Sequence, residues 1–460
     1  MDRQPLLLPS AEQITILLRR HETIALKRLL TQYHPADVAD VLETLEPEDA
    51  VVAFRLLPDY EASEVLDEAN SLLTAELIEQ VDDERLADLL DTLPMDDAAE
   101  LLEELPDETS DKLLELMEPE ERREVKQILS YPEDSTGRLM TQDVAVLREQ
   151  WSVAQAIEYL RALPDAETLH HLYTVDVVGR LTGIVPVRNL VLAQAKTLIG
   201  TITMPNIVSV SAETDQEELA DLISRYDYTA LPVVDAENRL LGVVTVDDAL
   251  DVIEEEITED IQQLGGSSPL EQPYFSVSIG TMVRKRVGWL LLLFFASSLS
   301  GSVVALFNTR LDASIMATLT IFFTLVIGTG GNAGSQTVAT IIRALAIEEV
   351  RFSDLGRTLR REVTVGLSMG ILLGIIGYVF AMLYAILQPA AIVNPLQIAL
   401  VVALTLPVVV MWSTCIATLI PILAERYAID ATVVSAPMIT TVVDATGLLI
   451  YYSLALFILG

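Results

Sequence analysis

The chain has a single cysteine in 460 residues, Cys415, and it lies inside an apolar run. An intrachain disulfide and a cysteine-based zinc site are therefore excluded. Histidines number four, so the softer metals, which want thiolate or imidazole, find little here. Basic side chains are also scarce: 29 Lys and Arg stand against 67 Asp and Glu, a formal charge of −38. The imbalance is local, because residues 1–273 hold 19 of the basic and 59 of the acidic side chains. Such a surface repels phosphates, which excludes nucleic acid as a partner and points to cations; an acidic face that merely meets water is the plainer alternative. The start, MDRQPLLLPSAEQ, has no basic stretch followed by a sustained apolar core, so no cleaved signal is expected and the first half is expected to stay cytoplasmic.

Beyond residue 286 the composition inverts. Five apolar stretches near 287–307, 313–342, 363–387, 396–423 and 431–459 are each long enough to cross a bilayer. Arg284, Lys285 and Arg286 precede the first, and Arg343, Arg351, Arg357, Arg360 and Arg361 join the second to the third, which places both points on the cytoplasmic side. The uncharged QPAAIVNPLQ between the third and fourth faces outward, as does the carboxyl terminus.

Asp444 lies in the last stretch, MITTVVDATGLLIYY. A charge at mid-helix costs about 2.5–3.5 kcal/mol, so it implies either a carboxyl held between helices or a cation pathway. Thr440 and Thr441, four and three residues earlier, share its side of a helix and offer hydroxyl or carbonyl oxygen. The second stretch contains GTGGNAGSQTVAT, in which Asn332, Gln336 and Thr337 are polar and the glycines allow close packing. Five spans enclose a pore poorly by themselves; a symmetric homodimer that pairs Asp444 with its copy would create a divalent site. A hydrated Mg2+ favours carboxylate oxygens and keeps several of its waters.

The acidic half divides further. Up to about residue 130, short helical units are punctuated by Pro47, Pro58, Pro94, Pro106 and Pro119, a pattern expected of an all-α superhelix, with Asp96 and Glu100 on one helical face. A repeat follows: MTQDVAVLREQWSVAQAIEYL returns as MPNIVSVSAETDQEELADLI, and LYTVDVVGRLTGIVPVRNLV as LPVVDAENRLLGVVTVDDAL. Residues 247–260, DDALDVIEEEITED, hold eight carboxylates, of which Asp248, Asp251, Glu255 and Glu259 form one helical stripe. Like charges at that spacing repel, and cations relieve the repulsion; a solvated spacer is the alternative.

The repeats resemble a tandem pair of CBS domains. The second copy carries Gly242, Val244, Thr245 and Asp248 in the family's final motif, whereas the first has Pro186 and Asn189 at the corresponding positions. Arg188, Asn189 and Tyr228 are the candidate nucleotide contacts, for ATP. Taken together, the order of parts, TGGNAGSQ in the second span and VDATGLLIYY in the fifth resemble the MgtE-type magnesium channels over essentially the whole chain. That resemblance implies a multidomain architecture: an all-α superhelical N-terminal domain at 1–130, tandem α/β CBS domains at 138–200 and 201–260, a connecting plug-like helix region at 261–286, and a five-helix transmembrane domain at 287–460. It implies ion recognition by Asp444, helped by the main-chain oxygen of Thr440. It also implies regulatory Mg2+ sites onto which Asp215, Glu217, Asp227, Asp248, Asp251, Glu256, Glu259 and Asp260 map, with Asp96 and Glu100 from the first domain. An acidic sensor position falls at Val52, and a polar pore position at Ala436.

The function expected is Mg2+ uptake across a bacterial inner membrane, closed when cytosolic Mg2+ bridges the soluble domains. An ion-coupled secondary transporter of divalent cations is the main alternative. A membrane enzyme would need a second intramembrane acid beside Asp444, which the sequence lacks, and a non-transporting receptor would not need Asp444 at all.

Overall fold

Prolines and small polar residues set where the first helices begin. Pro35 and Pro47 occupy the first turn of α3 (Pro35–Glu43) and α4 (Pro47–Phe54), where the missing N–H has no helical partner to lose. Pro58 precedes α5 (Asp59–Asp67), and Asn70 caps the helix at Ser71–Gln80 by accepting from the N–H groups of Leu72 and Leu73. In the computed structural model, which describes residues 10–103, 105–163, 168–270, 274, 277–347, 349–427 and 429–459, ten such helices run from α1 (Ala11–Arg19) to α10 (Glu121–Ile128) among the described residues. None exceeds 10 residues, too short to hold alone, and one continuous apolar cluster from Ile14 to Ile128 binds them. This is the helical superhelix that the proline spacing predicts.

The sequence repeat becomes a structural one. β1 (Val144–Arg148), α11 (Val153–Arg161), β2 (Thr168–Val175), β3 (Leu181–Pro186) and α12 (Val187–Leu192) form the first module. The second contains β4 (Val210–Ser211), α13 (Gln216–Tyr226), β5 (Ala230–Val234), β6 (Leu240–Thr245) and α14 (Val246–Leu264). In each sheet the first strand pairs parallel to the second and the second antiparallel to the third. The modules exchange short pairings: Thr141 bridges to Val243, and Met204 to Ile184. Glycine is required beside both bridges, because a Cβ on Gly242 would strike the carbonyl of Thr141, and one on Gly183 that of Met204.

The acidic run is a single helix, α14, that begins directly after β6. It stops at Gly265 and Gly266, the latter at φ +77 with its N–H on the carbonyl of Gln263. In the region expected to be a connecting helix at 261–286, the described residues thus include the last turn of α14, a non-helical segment at 265–270, and the start of the next helix at Ile279; the rest of that expectation lies partly outside the described residues. The glycine pair ends the helix four residues beyond the last carboxylate of the acidic run, Asp260.

The structure divides into two units, residues 1–256 and 257–460. The second contains five long apolar helices: α15 (Ile279–Asn308), α16 (Ala313–Ala346), α17 (Leu355–Leu387), α18 (Pro395–Arg426) and α19 (Ala436–Leu459). They are the five expected spans; α15, α16 and α17 carry their basic residues as extra helical turns beyond the apolar stretches. Gly366, Gly370, Gly374 and Gly377 form a buried ridge on α17 that lets α18 approach closely. A Cβ on Gly370 would lie 2.5 Å from Cα of Pro407. Side chains then lock the bundle: Ser413 Oγ donates to the carbonyl of Gly330 (2.6 Å), and the Tyr451 hydroxyl to that of Leu319 (2.9 Å).

Candidate functional site

Two polar regions stand out, one in each unit. In the soluble unit, α8 (Met95–Glu103) brings Asp96 and Asp97 to Asp248 in the first turn of α14, with one carboxylate oxygen of each within 4.8 Å of the others. Asp96 is buried at 6% exposure on the apolar side of α8, where a carboxylate needs compensation. Asp248 is fixed locally: its Oδ2 accepts from the N–H (3.1 Å) and hydroxyl (2.6 Å) of Thr245. Three hard oxygens at this separation suit Mg2+ or Ca2+.

Further acids surround this group. Burial, with Glu68, Glu64, Asp248 and Asp251 adding repulsion, pushes the Asp67 carboxyl up to about 7. Burial also raises Glu68, with Asp251 among the repelling charges, and partial burial beside Asp247 and Glu254 raises Asp251. Asp67, Glu68 and Asp97 were not among the expected ligands. A signal for the first two existed: both lie at the C-terminal end of α5, where the helix dipole disfavours negative charge.

The other expected regulatory residues spread out. Glu100 is exposed, one turn beyond Asp96, and is not a member of the three-acid group. Asp215 caps α13 by accepting from the Glu217 N–H (2.9 Å), while Asp227 ends the same helix in the left-handed conformation at φ 53. An eleven-residue helix rises roughly 16 Å, so Asp215 and Asp227 do not share an ion within one chain. Glu256 is half-buried on α14. In the second unit Glu259 pairs with the amide of Gln263, and burial, then the charges of Asp430 and Glu259, raise Asp260. Asp430, a residue not foreseen, holds the Thr432 hydroxyl at 2.5 Å, and Thr432 also hydrogen-bonds Gln263 at 3.0 Å. Val52 is exposed on α4, so no carboxylate replaces the expected sensor there.

For a nucleotide, Thr245 and Asp248 of the second module form a hydroxyl–carboxylate pair of the kind that holds a ribose. In the first module Pro186 precedes α12 and Asn189 lies in its first turn, so neither group is supplied. Arg188 is exposed beside Asn189, and Tyr228 stacks on Tyr226 with ring centroids 5.6 Å apart.

In the membrane unit, Asp444 is half-exposed on α19 and faces α16. A Cβ on Gly331 would stand 3.9 Å from Asp444 Oδ1 and 3.4 Å from the Thr440 methyl, so Asp444 and Thr440 share one side of the helix. The hydroxyls of Thr440 and Thr441 both donate to the carbonyl of Pro437 (2.8 and 2.9 Å), which leaves their lone pairs to accept. Asn332 and Gln336 are exposed on α16 and continue into Thr329 and Thr340, a polar stripe on an otherwise apolar helix. Thr337 departs from the expectation: it is buried against the bundle at 6% exposure. The glycines serve packing, since a Cβ on Gly334 would fall 2.6 Å from Ser413 Oγ.

Known proteins share this arrangement. Residues 323–454 match a family described as a divalent cation transporter, residues 33–134 its intracellular N domain, and residues 137–196 and 199–255 two CBS domains. The magnesium transporter MgtE of Thermus thermophilus is 36% identical over 96% of this chain and 97% of its own length. That of Bacillus subtilis is 32% identical over 74% of this chain and 73% of its own. Among solved structures, the cytosolic domain of the Mg2+ channel MgtE in complex with ATP is 39% identical with a TM-score of 0.51, covering 53% of this chain and 99% of that one. The soluble part of a magnesium transporter is 28% identical with a TM-score of 0.50, covering 54% and 97%. Helical domain, paired modules, acidic helix and five spans thus match their counterparts along nearly the full length, and the chain belongs to the MgtE family of divalent cation transporters.

Proposed function

We propose that this chain carries Mg2+ across the bacterial inner membrane, with its first unit in the cytoplasm, its carboxyl terminus outside, and Asp444 as the group that recognises the ion. The observation that carries this reading is Asp444 itself, a carboxylate half-exposed on an apolar helix with Thr440 on the same side. An acid in that setting is tolerated when a cation compensates it. Mg2+ sheds water reluctantly, so carboxylate, hydroxyl and carbonyl oxygens at this level would contact its hydration shell.

The exposed stripe of Asn332 and Gln336 supports a homodimer, since four neighbouring polar groups are poorly placed against lipid and well placed along an aqueous axis. Regulation follows from the soluble acids. Ions that bind only the arrangement in which Asp96, Asp97 and Asp248 converge shift the equilibrium toward it by mass action, so high cytosolic Mg2+ favours the closed state. When the ion leaves, Asp67, Asp248 and Asp251 repel and the soluble domains loosen. ATP is a further regulatory ligand at the CBS pair, with Tyr228 for the base and Arg188 for the phosphates. No step of transport requires covalent chemistry, which fits a family of transporters rather than enzymes.

The test is flux. Protein reconstituted in vesicles should admit Mg2+ with single-channel currents, and the Asp444→Asn protein should not. Flux that requires a counter-gradient of H+ or Na+ and shows no unitary current would replace the channel with a coupled transporter.

A further inference from the structure

Trp289 stands on α15 just beyond the basic run that ends at Arg286, at the start of the first span. A tryptophan at that level ordinarily turns its N–H toward lipid headgroups and water. Here the indole N–H donates instead to Oγ of the buried Ser435 (3.0 Å), which directly precedes α19. The same oxygen accepts the N–H of Met438 (3.4 Å), so Ser435 joins the indole to the first turn of the helix that carries Asp444.

The ring also meets the end of α14. A Cβ on Gly266 would lie 2.7 Å from Cδ1 and 2.8 Å from Nε1 of Trp289, and 3.4 Å from Cγ of Pro437 in the first turn of α19. Glycine is required there twice over, by this crowding and by its φ of +77. A second link runs beside it, because Thr432, just before α19, hydrogen-bonds Gln263 in the last turn of α14 (3.0 Å). From there the contact continues along α19: the carbonyl of Pro437 holds the hydroxyls of Thr440 and Thr441, one turn before Asp444. The acidic helix therefore ends on the turn that orients the oxygens beside Asp444, and Trp289 touches both.

We propose that Trp289 is a positioning residue that couples α14 to α19: the indole holds Gly266 and Ser435 together in the closed state, and release of that hold frees the start of α19. α14 is one continuous helix with Asp248 in its first turn and Gln263 in its last. An ion that favours one arrangement at the first end can bias α19 only through contacts at the second end that differ between the two states. The Trp289 contact is of that kind. The inference rests on the proposed reading that cytosolic Mg2+ closes the path, and does not depend on how Asp444 meets the ion.

Full-length protein in vesicles tests it, with Mg2+ flux measured as Mg2+ is varied on the face that carries residues 1–256. Trp289→Phe keeps a ring against Gly266 and loses the donor. It is expected to raise the Mg2+ concentration that halves the flux by about fivefold, with the flux at low Mg2+ unchanged. Ser435→Ala removes the acceptor and should shift the same concentration by a similar factor, and the double variant no further than either alone. Trp412→Phe is the control, because Trp412 on α18 makes the same kind of bond further along α19, donating to Thr446 Oγ1 (3.0 Å), and it should leave the closing concentration where it is. An unshifted concentration in Trp289→Phe overturns the proposal, as does a fall in flux at every Mg2+ concentration without a shift, which marks a merely structural contact. Additive shifts in the double variant, or an equal shift in Trp412→Phe, overturn it too. Should Trp289→Phe fail to fold, Ser435→Ala decides the matter on the same measure. An unaltered protein that ignores Mg2+ on that face would remove the regulatory reading itself, and the proposal with it.

Discussion

Asp67 at the end of α5 and Asp248 at the start of α14 interact as like charges, and their repulsion adds to burial in pushing the Asp67 carboxyl up to about 7. Its ordinary value is 3.8, so the contribution of Asp67 to folding is full below that value and is lost as the pH rises through about 7. Without divalent ions, protection of α5 and α14 from hydrogen exchange should therefore fall as the pH rises from 3.8 to about 7 and level off above that, after correction for intrinsic rates. Glu68 and Asp251 shift in the same direction and reinforce it. Asp67→Asn should flatten this response, and Mg2+ should restore protection at pH 8.

Within the three-acid group, Asp97→Asn should weaken the Mg2+-dependent protection of residues 247–260 by about tenfold in the ion concentration required, a loss near 1.4 kcal/mol. Glu100→Gln should leave it almost unchanged, because Glu100 lies outside the group. Titration of exchange protection against Mg2+ separates the two.

Asp248→Ala removes a proposed ion ligand and also the acceptor for Thr245, so it should lower thermal stability by about 1 kcal/mol even without Mg2+. Asp248→Asn retains an oxygen for Thr245 and should lose only the response to the ion. Calorimetry in chelator and in excess Mg2+ distinguishes the outcomes.

Asp444→Asn should reduce Mg2+ flux into vesicles by at least about tenfold with little change in stability, since the amide fills the same space without the charge. Gly370→Ala should do the reverse. Its Cβ would press on the Pro407 backbone, at a cost of about 1–3 kcal/mol, whereas Gly328→Ala meets nothing within 4 Å and serves as its control. Thermal unfolding in detergent checks both.

The architecture was legible because its signals are periodic or compositional. Prolines at helix starts, a repeat of two modules and five apolar stretches each leave a mark on neighbouring residues in the chain. The proposed membrane site rests on a related signal, since one acid among apolar residues is conspicuous wherever the helix turns. The soluble site was only half visible. Asp96 and Asp248 were selected, but Asp97 and Asp67 join them through packing between distant segments, and in a half with 59 acids no local pattern distinguishes those that converge from those that face water. Asp215 has a second role that its type alone does not announce: its side chain caps α13. The ridge of glycines on α17 was not read either, although four small residues at spacings of three and four in a span announce a close neighbour.

The reciprocal bridges at Thr141 and Met204 carry one more implication. Each CBS module completes its partner's sheet edge with a piece of its own leading segment, so neither half is a self-sufficient building block. Excision of one would strip a backbone partner from the other and leave Gly183 or Gly242 facing an empty notch. The duplication therefore persists as an inseparable couple, and any signal that distorts one member is felt at once by its twin.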